Sequence, residues 1–199
     1  MNDSVTNQPK WSHAQVAKLL ISQTALTELS LDDARRIAQR MHSRSVKKGA
    51  VLVQEGTSAN NYLLLILSGE GVVENASVKK SDSLILGVVG TGDIIGEMGL
   101  LDGEPRSATC TAFTDMDVAV LDRAALTQLI DQEPSTGCKL LAILLQRTSS
   151  RLRNTNKKLR LLTQINRTLE QEVSALNPSR VATNAKPRAA LDVDNPLMF

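Results

Sequence analysis

The chain has 199 residues, enough for one domain with a sizeable core plus an appendage. Only 2% are aromatic, so the core must be aliphatic, and base-stacking platforms for single-stranded nucleic acid are disfavoured. A formal net charge of +2 does not by itself argue for nucleic acid, and no apolar run reaches the roughly 18 residues of a bilayer-spanning helix.

In chain order, residues 1–12 are polar and predict a flexible N-terminus without a signal-peptide core. From Ser12 to about Arg44 the pattern is helical, with Val16, Leu19, Leu20, Leu26, Leu29, Leu31 and Ile37 at helical spacings. A break near Ser30 marks a second helix, capped by Ser30 with Asp33 three residues on. Near Val46 the period shortens. AVLVQ, YLLLIL, GVVENASV, SLILGVV, ATCTAF and VAVLD alternate with Gly- and Asp-containing turns such as KKSD, and predict an antiparallel β-sandwich or barrel. Leu63–Leu67 is apolar throughout, as for a strand buried on both faces.

Asp122 is an N-cap for RAALTQLIDQ, and a break at Glu133-Pro134-Ser135 precedes a long helix ending near Pro178. Leu145, Leu152, Leu159, Asn166 and Val173 lie seven apart, as do Leu141, Thr148, Thr155, Leu162, Leu169 and Leu176. The two series interleave as positions a and d of a coiled coil, and a polar Asn at one a position favours a parallel two-stranded pairing in fixed register. A parallel homodimer through residues 141–176 is expected, with 137–150 packing on the β-domain of its own chain. The same helix carries Arg147, Arg151, Arg153, Lys157, Lys158, Arg160 and Arg167 with no acid before Glu170. That run reads as a solvated face, with DNA phosphate contact as the alternative. The predicted organisation is a flexible 1–12, a β-domain with N-terminal helices over 13–135, a dimerisation helix over 136–177, and a disordered tail over 178–199.

Few residues carry catalytic chemistry. His13 and His42 are far in sequence from Cys110 and Cys138, and the cysteines lack metal-ligand spacing. Buried free thiols in a reducing, cytoplasmic compartment are expected, with no catalytic residue, metal or cofactor. The chemistry concentrates instead in GEMGLLDGEPRSAT, residues 96–109. An anionic phosphate calls for a desolvated arginine, whose planar fork gives two parallel hydrogen bonds, and for converging backbone N–H groups. Gly96 permits close backbone approach at the start of a short helix, Pro105 fixes the chain before Arg106, and Glu97 can accept a hydrogen bond from a sugar hydroxyl.

Gly96-Glu97, Leu100-Leu101 and Pro105-Arg106-Ser107-Ala108-Thr109 resemble the phosphate-binding cassette of cyclic nucleotide-binding domains. Gly49, Gly56, Gly69 and Gly92-Asp93 fall where that family places turn glycines, and the resemblance covers about residues 18–160. The pattern is similar to the sensor domain of catabolite activator protein-type regulators. It implies an α+β fold, with an antiparallel β-roll or jelly roll flanked by N-terminal helices and a long C-terminal coiled-coil helix. It also implies that Arg106 binds the cyclic phosphate and Glu97 the ribose 2′-hydroxyl, with Gly96 and Ser107 adding contacts. Thr155-Asn156 falls where the activator branch caps the base with a Thr-Ser pair, so Thr155 is either that cap or a tolerated polar d residue.

In that family a winged helix-turn-helix follows the long helix. Residues 177–199 show no helical apolar pattern, and the module is expected to be absent. The expected function is a non-enzymatic sensor of a cyclic nucleotide, cAMP or cGMP, coupled to a coiled-coil dimer and an unidentified effector protein. Neither DNA nor a membrane is an expected partner. The alternatives are a transcription regulator acting through the basic helix or a partner, and a degenerate scaffold that binds nothing.

Overall fold

The computed structural model describes residues 10–22, 26–57, 61–75 and 84–176. The expected tail over 178–199 and the KKSD turn lie outside them, as do residues 1–9. Two short helices, α1 (His13–Leu20) and α2 (Leu31–Ala38), lead into strands β1 (His42–Val46), β2 (Val51–Val53), β3 (Tyr62–Ser68), β4 (Gly71–Asn75), β5 (Leu84–Val89) and β6 (Ile94–Ile95). Helix α3 (Glu97–Asp102) interrupts the strands before β7 (Thr109–Ala112) and β8 (Met116–Asp122), and α4 (Arg123–Gln132) and α5 (Pro134–Leu176) follow.

The strands form two four-stranded antiparallel sheets, ordered β1-β8-β3-β6 and β2-β7-β4-β5. With the flanking helices this is the expected α+β architecture. Because successive side chains on a strand face opposite ways, the apolar run of β3 serves two cores at once. Leu63, Leu65 and Leu67 pack with Ala119 and Leu121 of β8 against apolar residues of α1, α2, α4 and the first turns of α5. Leu64 and Ile66 face the other sheet with Met116, Val118, Val120, Leu52 and Cys110. Each leucine buried this fully contributes about 1.5–3 kcal/mol, so β3 is the central staple of the domain.

Local signals set the helix ends. Ser12 and Gln15 form a reciprocal capping box on α1; the Ser30 and Asp122 side chains accept the backbone N–H of Asp33 and Ala125. Pro134 opens α5 from inside the helix rather than ending a break before it, because a first-turn residue needs no N–H partner.

Three expectations change. The helical pattern does not continue to Arg44: α2 stops at Ala38, and His42–Val46 pairs with β8 from His42↔Val120 to Val46↔Met116. The ladder of a fully buried central strand outweighs the weak helical periodicity there. Ile94–Ile95 adds a two-residue strand opposite Leu65 and Leu64. Cys138 is exposed, since α5 turns it away from the buried Thr136, Gly137 and Leu140, whereas Cys110 is buried between the sheets and its thiol is pushed up to about 11 by burial.

The chain divides into two compact units, one reaching Thr148 and the other beginning at Ser149. In the first, Leu140, Ile143 and Leu144 of α5 are buried in the helix-side core. In the second, α5 continues to Leu176 with its apolar side chains exposed. Among the described residues, no helix is long and apolar enough to cross a membrane.

Candidate functional site

The cassette is built where β6 hands over to α3. Pairing of Ile94 and Ile95 with β3 brings Gly96 to the end of Tyr62–Ser68, and Leu100, with no exposed surface, anchors α3 in the core. Gly96 is left-handed at φ 80°, and Gly103, at φ 78°, closes the helix by donating its N–H to Gly99. From Gly103 the chain turns back toward the sheet. There the Arg106 N–H donates to Thr57 O (3.0 Å), and Arg106 O accepts from Gly56 N (2.9 Å). The Thr109 hydroxyl accepts from the Glu55 N–H at 3.1 Å, so residues 106–109 are held to the turn after β2 along their length.

This clamp sends the Arg106 side chain inward, beneath α3. Arg106 as a whole is only 5% exposed. It donates from Nη1 to Gly96 O (2.7 Å) and from Nη2 to Tyr62 O (2.8 Å), and its Cζ lies 4.7 Å from the centre of the Tyr62 ring. A Cβ on Gly96 would fall 2.7 Å from Nη1 and 2.8 Å from Tyr62 O, and one on Gly99 would fall 3.0 Å from Nη1. Both glycines therefore exist to let the helix backbone rest on the arginine. Glu97, at the first position of α3, is 4% exposed. Burial pushes the Arg106 guanidinium below its ordinary value, while Tyr62, Glu97 and Asp102 pull the other way. An arginine does not lose its proton in a protein, so the site combines a fixed cationic fork with a buried acidic residue.

Of the six sequence-predicted residues, Gly96, Glu97, Arg106 and Ser107 fall in the first unit, and Arg106 meets the start of α3 at Gly96. Ser107 is exposed, and its carbonyl accepts from Asn75 Nδ2 at 3.2 Å. Thr155 and Asn156 belong to the second unit, where Thr155 is exposed and Asn156 half-buried on α5. Sequence reasoning missed Gly99 and Tyr62. The signal for Tyr62 was present: it is the chain's single tyrosine, standing at the head of an otherwise aliphatic strand. Among the described residues, no group of three or more His, Cys, Asp or Glu is placed to hold a metal ion.

A family model for the cyclic nucleotide-binding domain matches residues 43–133, the span that contains both sheets and the cassette. A cyclic nucleotide-binding domain from Methylobacillus flagellatus is 34% identical, with a TM-score of 0.65 over 76% of this chain and 83% of that one. The catabolite activator protein of Thermus thermophilus is 26% identical, with a TM-score of 0.59 over 68% of this chain and 61% of that one. The cAMP-dependent protein kinase regulatory subunit of Yarrowia lipolytica is 32% identical over 105 residues, 53% of this chain. The match spans only 27% of that relative's length. The fold thus recurs in a domain matched over most of both chains, and this protein belongs to the cyclic nucleotide-binding domain family.

Proposed function

We propose that the protein is a non-enzymatic sensor of a cyclic nucleotide, cAMP or cGMP. Arg106 binds the cyclic phosphate, Glu97 accepts a hydrogen bond from the ribose 2′-hydroxyl, and Gly96 and Ser107 add backbone or hydroxyl contacts. The observation that carries this reading is the buried Arg106, held by the carbonyls of Gly96 and Tyr62 directly under the helix that starts at Glu97. Burying a guanidinium and a carboxylic residue together is costly unless they are paired or serve a ligand. A fork fixed in this way binds a phosphate with little further ordering. The name of the Yarrowia relative ties that protein to cAMP, which supports a cyclic purine nucleotide over other anions.

The output in this reading is α5, which pairs through residues 141–176 with a second copy in parallel and presents a surface to an effector protein. Thr155 and Asn156 are the candidates on that helix for contact with the base. Ligand binding shifts the output only in so far as the nucleotide binds one arrangement of the protein more tightly than another.

Titration calorimetry of the full chain with cAMP, cGMP and cyclic di-GMP tests the proposal. Saturable heat with cAMP or cGMP at one site per chain is the expected result. No heat with any of the three, from protein shown to carry no co-purified nucleotide, overturns it.

A further inference from the structure

Tyr62 is fixed at both ends. Its backbone lies in β3, in the first sheet, and its hydroxyl donates to Leu52 O of β2, in the second sheet, at 2.6 Å. Between these anchors the ring packs against the inter-sheet core and meets the Arg106 guanidinium at 4.7 Å. The Arg44 guanidinium lies 5.8 Å from the same ring. The rest of the strand shows that the ring is not needed for β3 itself. Leu63–Leu67 is wholly aliphatic, and a leucine at 62 would continue that run while leaving the carbonyl that receives Nη2 in place. What tyrosine adds is a flat, electron-rich face that attracts a cation and favours stacking of a planar guanidinium.

We infer that Tyr62 is a positioning residue for Arg106: its doubly anchored ring fixes the plane in which the guanidinium presents its donors to the ligand. The inference rests on the reading of Arg106 as the phosphate-binding group. Two carbonyl acceptors locate the ends of the fork, and the ring stops it from tilting between them. The position deepens the site by an element remote in sequence, since Tyr62 lies 44 residues before Arg106.

The test is calorimetry with cAMP on the full chain, comparing the parent, Tyr62→Phe, Tyr62→Leu, Arg106→Leu and the Tyr62→Leu/Arg106→Leu pair. Tyr62→Leu should weaken binding roughly 3- to 30-fold, the range of a partly desolvated cation–π contact. Tyr62→Phe should fall between it and the parent, and Tyr62→Leu should cost nothing further once Arg106 is gone. Parental affinity in Tyr62→Leu, or equal losses in both arginine backgrounds, overturns the assignment while leaving the site reading intact. A parent that binds no cyclic nucleotide overturns both. If Tyr62→Leu does not fold, phenylalanines of increasing fluorination at position 62 keep the ring's shape while draining its negative face. A stepwise fall in affinity is then expected, and a flat series overturns the assignment.

Discussion

At Gly96 a single missing Cβ joins local backbone geometry to the site. Its left-handed φ of 80° already disfavours any other residue, and the 2.7 Å gap to Arg106 Nη1 leaves no room for a methyl group. Gly96→Ala should therefore destabilise the domain by about 1–3 kcal/mol, read as a lower urea midpoint at unchanged m-value, because αL strain and displacement of the guanidinium both act. Unchanged stability would show that the α3 terminus relaxes freely, contrary to the close packing described. Arg106 itself is the most direct probe of ligand binding. Arg106→Leu removes charge-assisted hydrogen bonds of about 1.5–3 kcal/mol, so cAMP affinity should fall roughly 10- to 150-fold in calorimetry. Equal affinity in the variant would remove Arg106 from the site. Gly96, Glu97 and Arg106 were legible in the sequence because a short helix and its return loop keep them within eleven consecutive residues, each carrying an unusual demand on side-chain type. Tyr62 stood out as the chain's single tyrosine, but its place at the site was not legible: strand pairing, which sets β6 beside β3, brings it there, and no local pattern encodes that register.

Helix α2 shows what element-level reasoning reads and what it omits. Ser30 was legible as a cap, and it does accept the Asp33 N–H. The partner residue proves to be more than part of a cap. The Asp33 carboxylate also receives the Thr136 hydroxyl at 2.9 Å and the Lys139 ammonium at 2.8 Å, while Arg36 and Arg40 both reach Glu133. These contacts span about a hundred residues and tie α2 and the turn after it to the junction of α4 and α5, so spacing along the chain could not reveal them. A comparable buried junction forms at Asp117, which accepts from Lys10, Trp11, Ser45 and Ser68. Lys139 foremost, then Ser30, with Thr136 adding, hold the Asp33 carboxyl at about 2 against the opposing effect of burial. A lowered folded-state value means that the unfolded chain takes up the proton first. The stabilisation is then complete above about pH 4 and is lost as pH falls toward 2, amounting to about 1–2 kcal/mol once the solvent-facing Lys139 is allowed for. Urea titrations at pH 6 and pH 2.5 should show a smaller acid loss in Asp33→Asn than in the parent, together with lower stability of the variant at pH 6. Identical acid losses in the two proteins would mean that the junction contributes nothing through Asp33.

The heptad seam is the feature that only the whole molecule can explain. In the first unit, α5 buries Leu140, Ile143 and Leu144 in the helix-side core, so that stretch is stabilised by its own chain. In the second unit Leu152, Leu159, Leu161, Leu162, Leu169 and Val173 are each more than half exposed, and Ile165 is 45% exposed. Scattered exposed leucines need no explanation, whereas a stripe at a and d spacing over several turns marks an interface. In the dimer proposed above, a second copy of the same stripe covers this one, as the heptad spacing requires. In the proposed parallel dimer, Asn166 at an a position would face its counterpart and fix the register, at some cost in stability. Charge placed in the middle of the seam should undo the assembly without disturbing the first unit, where neither residue lies. The Leu159→Glu/Leu162→Glu variant is therefore expected to sediment as a monomer at concentrations where the parent is a dimer, with its β-sheet circular dichroism and its cAMP stoichiometry retained. A parent that sediments as a monomer at tens of micromolar, or a double variant that remains dimeric, would rule out this seam as the assembly surface. Asn166→Leu separates register from affinity: it should tighten association while admitting species larger than the dimer, because the polar a-position layer that selects two parallel strands is gone.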